Sequence, residues 1–200
     1  LNFNRVYNFL KDYRPETITA HSFHDSAVNI VFTQQQQPSI IFLRRSTQVT
    51  HHKGQFSFPG GKKDAADADL LATALRETEE ETGIPVSHFR PLGQLDNFLT
   101  VTNYNIATYV SLYEGPLPIR YKIDNRETDF ILEVDAKALV DDNNITFLPF
   151  HYHNRVIHIP HYWINGFHLW GVTAILLLRF SVQLGYLAHY ESYLSQLTIH

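Results

Sequence analysis

The chain has no cysteine in its 200 residues, which removes disulfides, zinc–thiolate sites and thiol nucleophiles. Methionine is absent too, even at the first position. Basic residues are few, 16 against 20 acidic ones. Bulk nucleic-acid binding, which needs a basic face, is therefore not expected, although a local basic pocket is still allowed. Long apolar runs are missing as well. The longest, residues 172–178, ends at Arg179 and is far shorter than the roughly 18 residues a membrane span requires. Residues 1–15 mix polar and apolar types and carry Arg5, Lys11, Asp12 and Arg14, unlike a secretory leader. The expectation is a cytoplasmic protein that meets neither membrane nor nucleic acid, with room for a sizeable core in one domain.

Hydrophobic periodicity supplies an element order. Val6, Tyr7, Phe9 and Leu10 sit near helical spacing and Pro15 stops them, so a helix is expected over 3–13. Residues 27–32 and 39–43 read as strands joined by a polar turn, a hairpin. Residues 55–58 form a short strand candidate. A turn is expected at 103–105 and a strand over 106–113. Further strand candidates are 129–134, 145–148 and 156–159, the last two as a hairpin pair continued over 162–167. Residues 170–187 are apolar nearly all round, which suits a covered helix. Strands in the middle and helices around them argue for an α/β sandwich with a mixed sheet. Neither a repeat nor a linker is visible, so residues 1–200 read as one domain, with helices 3–13 and 170–187 flanking it.

The chemistry concentrates in residues 60–84, where Arg76-Glu77-Thr78-Glu79-Glu80-Glu81-Thr82-Gly83-Ile84 follows a glycine pair and a short acidic turn. At about 100° per residue, Leu71, Ala74, Leu75, Thr78 and Thr82 form the buried stripe of a helix. Glu77, Glu80 and Glu81 gather within an arc of about 100° on another face, and Glu79 points elsewhere. Gly83 is placed for a left-handed C-terminus, and Asp67 or Asp69 can cap the start. An acidic run is ordinarily a solvated face. Here no lysine at i+4 offsets it, and an uncovered glycine-rich loop precedes it, open to close approach by a ligand. Hard divalent cations want such carboxylates.

Residues 61–84 resemble the signature of the Nudix hydrolases, Gly-x5-Glu-x7-Arg-Glu-(apolar)-x-Glu-Glu-x-Gly-(apolar). Arg76, Glu77, Glu80, Glu81, Gly83 and Ile84 match, with Thr78 at the first apolar place. The interval from Gly61 to Arg76 is one residue too long, and Asp64, Asp67 and Asp69 stand where one glutamate is expected. This opening resembles the coenzyme A pyrophosphatase branch. Leu43, Arg45-Ser46, Gly54 and Phe58-Pro59-Gly60-Gly61 resemble the upstream motif of that branch, and residues 169–176 its later helix start. Thr50 replaces the second arginine of the upstream motif, where Lys53, His51 or His52 could substitute.

The resemblance implies an α/β/α sandwich with a central mixed sheet. It implies Mg²⁺ or Mn²⁺ on Glu77 and Glu81, with Glu80 as a ligand or as the base on the attacking water, and the carbonyl of Gly61 or Gly60 as a further ligand. Arg76 would orient a glutamate, and Glu127 is a candidate downstream acid. Coenzyme A, free or acylated, would be cleaved to adenosine 3',5'-bisphosphate and 4'-phosphopantetheine. Its phosphates would call on Arg44, Arg45, Lys53, Lys62 and Lys63, with Arg45 and Lys62 foremost. ADP-ribose or NADH hydrolysis, or a non-catalytic ligand sensor, are the competing readings, and a homodimer is left open. The stripe 170–178 reads as core. The twelve histidines are too scattered for a zinc site.

Overall fold

The computed structural model describes residues 2–34, 37–47, 54–194 and 197, with Gln34 by its backbone only. Helix α1 (Phe3–Asp12) is capped by the Asn2 side chain and buries Val6 and Leu10. Strand β1 (His24–Gln34) is the centre of a seven-stranded sheet. It pairs antiparallel with β2 (Pro38–Arg45), which in turn carries β3 (Phe56–Ser57) and β7 (Thr128–Asp135). On its other side β1 runs parallel to β6 (Tyr104–Tyr113), followed by antiparallel β5 (Phe89–Leu99). The one parallel pair makes the sheet mixed.

Alternation along β1 explains the layers. Ala27 and Val31 face helix α2 (Leu70–Thr82), together with Ala74, Ala107, Ile41 and Ile84. Ile30 and Phe32 face the opposite core, shared with α1, with helix α3 (Gly171–Gln183) and with a second sheet. That second sheet is antiparallel, β10-β9-β8, from β8 (Ile145–Tyr152), β9 (Arg155–Ile164) and β10 (Phe167–Leu169). A terminal helix α4 (Glu191–Leu194) follows. The fold class is α/β, a central mixed sheet between helical layers.

Several expected boundaries move. The turn between β5 and β6 sits at residues 100–103 and β6 begins at Tyr104, two residues earlier than read, with Asn103 in the left-handed conformation (φ 62°). Helix α3 stops at Gln183 rather than Leu187, where Gly185 adopts φ 72°. The glycine pair is not an uncovered loop. Gly60 and Gly61 belong to β4 (Gly60–Lys62), which lies antiparallel on β1 with Gly61 opposite Ala27. Gly60 has φ 152°, and a Cβ there would collide with the Ala27 carbonyl, so no other residue fits this approach.

Candidate active site

Helix α2 is set by its two ends. Asp69 caps it, accepting from Ala72 N at 2.8 Å, and Gly83 closes it with φ 71°. The side buried against the sheet is Thr73, Ala74, Thr78 and Thr82, with Leu71 and Leu75 only half-buried. The stripe is thus rotated toward Thr73 relative to the wheel, because the close β1 surface at Ala27 and Asn29 admits small side chains. Thr78 Oγ1 accepts from Asn29 Nδ2 at 3.2 Å, which locks the rotation of the helix on the sheet.

That rotation places the carboxylates. Glu77 lies over Gly61 so closely that a Cβ on Gly61 would run into its carboxylate. Glu81 is drawn to β4, where its Oε2 accepts from Gly60 N at 2.9 Å. Glu80 is exposed beside Glu77, and Glu79 points to solvent. Arg76 binds both inner partners through Nη1, to Glu77 Oε1 at 2.9 Å and Glu80 Oε2 at 3.0 Å. The acidic face is therefore offset after all, by an arginine four residues before Glu80 rather than by a lysine after it. Among the described residues, no three His, Asp or Glu side chains stand gathered as a metal site.

The three aspartates have separate tasks. Asp67 receives Arg76 on both oxygens, from Nε at 2.9 Å and Nη2 at 3.0 Å. It also accepts from Asp64 N and Thr73 Oγ1, both at 2.9 Å. These bonds hold its carboxyl well below the usual range. Asp69 is the cap and Asp64 stays in solvent. Asp67 is the residue that the sequence reading could not separate from its neighbours.

Burial pushes the Glu81 carboxyl up to about 8, against the pull of the Gly60 N–H and of Arg45. Burial likewise raises Glu77, in spite of Arg76. Arg45 ends β2 with its Nε buried and, among the described residues, unpartnered, and its charge is felt at Glu81. Glu127 is exposed, its carbonyl accepting from Ser46 N at 2.8 Å, and its charge also reaches Glu81. Lys62 is exposed, with Nζ 5.3 Å from the Tyr104 ring centroid. Lys63 is committed to the Asp67 carbonyl at 2.9 Å. Arg44 turns away, to Asp129 at 3.7 Å and over Phe130. Lys53, with Thr50, His51 and His52, lies outside the described residues.

A cavity of about 1000 Å³ opens beside Arg45. Phe56 and Tyr104 line one side of it, and Tyr152, Ile157 and Trp170 another. The segment 170–178 is therefore not all core. Gly171, Val172, Thr173 and Ile175 face the cavity with Trp170, while Ala174, Leu176, Leu177 and Leu178 are buried. Thr173 Oγ1 donates to the Phe56 carbonyl at 3.1 Å, tying α3 to β3. Among the described residues no helix is long and apolar enough to cross a membrane.

With this geometry in view, the family description NUDIX domain matches residues 23–145. The chain is 30% identical to an "Uncharacterized Nudix hydrolase NudL" of Yersinia enterocolitica, over 87% of this chain and 88% of that one. A protein of the same description from Yersinia pestis is 28% identical, over 85% and 87%. A solved Nudix hydrolase from Alicyclobacillus acidocaldarius aligns with a TM-score of 0.49 at 20% identity, over 60% of this chain and 83% of that one. The chain belongs to the Nudix hydrolase family. It is an enzyme that hydrolyses a diphosphate linkage in a small nucleotide-like molecule, and members of this family generally use divalent metal ions.

Proposed function

We propose that the chain cleaves coenzyme A, free or acylated, to adenosine 3',5'-bisphosphate and 4'-phosphopantetheine, with Mg²⁺ or Mn²⁺ as the ion. The observation that carries the reading is a convergence. The two segments that resemble the coenzyme A branch, around Arg45–Gly61 and Trp170–Ile175, are remote in sequence. They meet across the Thr173–Phe56 hydrogen bond and line one cavity with Arg45, whose charge is felt at Glu81. A diphosphate at Arg45 would thus have a large, mostly apolar chamber for one of its arms.

The donor set fits a divalent ion. Glu77 and Glu81 are held with raised proton affinity by burial, a cost that a bound cation relieves. Glu77, Glu81, Glu80 and the Gly61 carbonyl are the groups that would hold it. When bound, the ion supplies positive charge to the bridging and leaving oxygens of the diphosphate. The remaining work belongs to the protein. Arg76, itself fixed by Asp67, aims Glu77 and Glu80, so that Glu80 is free to take a proton from the attacking water if it is not a ligand. Arg45 and Lys62 bind phosphate oxygens, Arg45 with an Nε that lacks any other partner among the described residues. Lys53 is a further candidate by sequence, and Glu127 a peripheral acid.

A panel of coenzyme A, ADP-ribose and NADH with Mg²⁺ or Mn²⁺, read by product identity, tests the reading. Release of adenosine 3',5'-bisphosphate from coenzyme A at the highest kcat/KM is expected. A preference for ADP-ribose would reject it. Glu81→Gln should abolish turnover with the fold intact, and unchanged activity would remove Glu81 from the ligand set.

A further inference from the structure

The match to the family ends at residue 145. The three-stranded sheet β8–β10 lies almost wholly beyond it and yet supplies one wall of the cavity. Arg155 opens β9 after the tight turn at His153 and Asn154, is exposed, and lines the cavity. Its side chain makes no hydrogen bond, ion pair or ring contact among the described residues. Other arginines are tied down, Arg44 to Asp129, Arg90 to Glu114, Arg126 to Asp124 and Arg179 to Asp96. An untethered guanidinium beside an apolar wall is a ready contact for an anion. Arg45 lines the same cavity from the end of β2, so cationic side chains reach it from two unrelated elements.

Trp170, which lines the cavity, belongs to a row of stacked rings. Trp163 and His168 stack with ring centroids 3.8 Å apart and planes within 2°. His168 is joined to His161 by a 2.8 Å bond between ring nitrogens, and His161 lies parallel to Trp170 within 9° at 6.0 Å. Burial lowers the proton affinity of both histidines, which keeps the pair uncharged, one ring donating to the other. The stack thereby holds Trp170 in a fixed plane at the cavity wall, 37% exposed. Fixed aromatic faces stack nucleobases whatever their hydrogen-bonding edge.

We infer that this cavity receives a nucleoside bearing a second phosphate apart from the diphosphate, with its base on Trp170 and the extra phosphate at Arg155. The inference rests on the coenzyme A reading and deepens it, because the 3'-phosphate of that substrate is the feature that ADP-ribose and NADH lack. The sheet beyond the family match is then the element that sets specificity.

Calorimetric binding of adenosine 3',5'-bisphosphate and of adenosine 5'-monophosphate separates this inference from the reading it rests on. The unaltered enzyme should bind the bisphosphate about tenfold more tightly or better. Arg155→Gln should bring the ratio near one while leaving the monophosphate affinity unchanged. Trp170→Leu should weaken both ligands together, by roughly five- to tenfold. A ratio untouched by Arg155→Gln, or unaltered binding in Trp170→Leu, overturns the inference. In turnover, Arg155→Gln should lower kcat/KM for coenzyme A and spare 3'-dephospho-coenzyme A. If coenzyme A is not cleaved at all, the proposed function fails, while the binding ratios still decide the subsite.

Discussion

Gly61 shows how a single hydrogen atom in place of a side chain can place a carboxylate. Its backbone lies in an ordinary extended strand, so alanine costs little conformationally, but the added methyl would occupy the position of the Glu77 carboxylate. Gly61→Ala should therefore fold with a nearly unchanged melting temperature and lose about 100-fold in kcat/KM, the scale of a small misplacement at a reacting centre. A fully active variant would show that Glu77 acts from some other position. Glu81 carries a different signature. Burial pushes its carboxyl up to about 8 from the ordinary 4.5. A raised folded value means that its contribution to stability is fully present below about 4.5 and is lost as pH rises through about 8. In metal-free buffer, Glu81→Gln should match the parent in melting temperature near pH 4 and melt higher than it at pH 9. Equal melting curves at pH 9 would refute the buried charge, and added Mg²⁺ should narrow the gap.

At the scale of elements, the end of helix α2 was legible because Gly83 is local punctuation, while its start was left between Asp67 and Asp69. The grouping of Glu77, Glu80 and Glu81 apart from Glu79 was legible for the same reason, since it follows from helical pitch alone. The partners across elements were not. Asp67 could be chosen over Asp64 and Asp69 only once the turn 63–69 had a shape, and the glycine pair looked like a loop because its pairing partner β1 lies far upstream. The Asp67–Arg76 fork is where these two levels join. Asp67→Asn removes the charge and one of the two acceptor oxygens, so Arg76 is expected to lose its aim on Glu77 and Glu80. Activity should fall by about 10- to 100-fold, the usual penalty for disturbing the groups behind a ligand set. The loss should appear together with a weaker apparent affinity for Mg²⁺ or Mn²⁺. A drop in thermal stability with unaltered metal dependence would make Asp67 a purely structural brace.

On the scale of the whole molecule, the proposed function assigns catalysis and recognition to different parts of the chain. The carboxylates stand on the α2 side of the central sheet, at the β4 edge, and their geometry depends on β1, β4 and α2. The cavity draws instead on β3, on the start of α3 and on the second sheet, which share the opposite core. Arg45, at the end of β2, lines the cavity, and its charge reaches Glu81. The bond from Thr173 to the Phe56 carbonyl spans 117 residues of sequence and is a polar tie between α3 and β3, which both line the cavity. Thr173→Val keeps the shape of the side chain and leaves that carbonyl without its donor, at a cost of about 1–3 kcal/mol. Such a change should loosen one wall while leaving α2, Arg76 and the glutamates where they are. KM for coenzyme A should therefore rise several-fold at a nearly constant kcat. A fall in kcat with KM unchanged would mean that cavity and carboxylates are one mechanical unit, contrary to the division the fold implies.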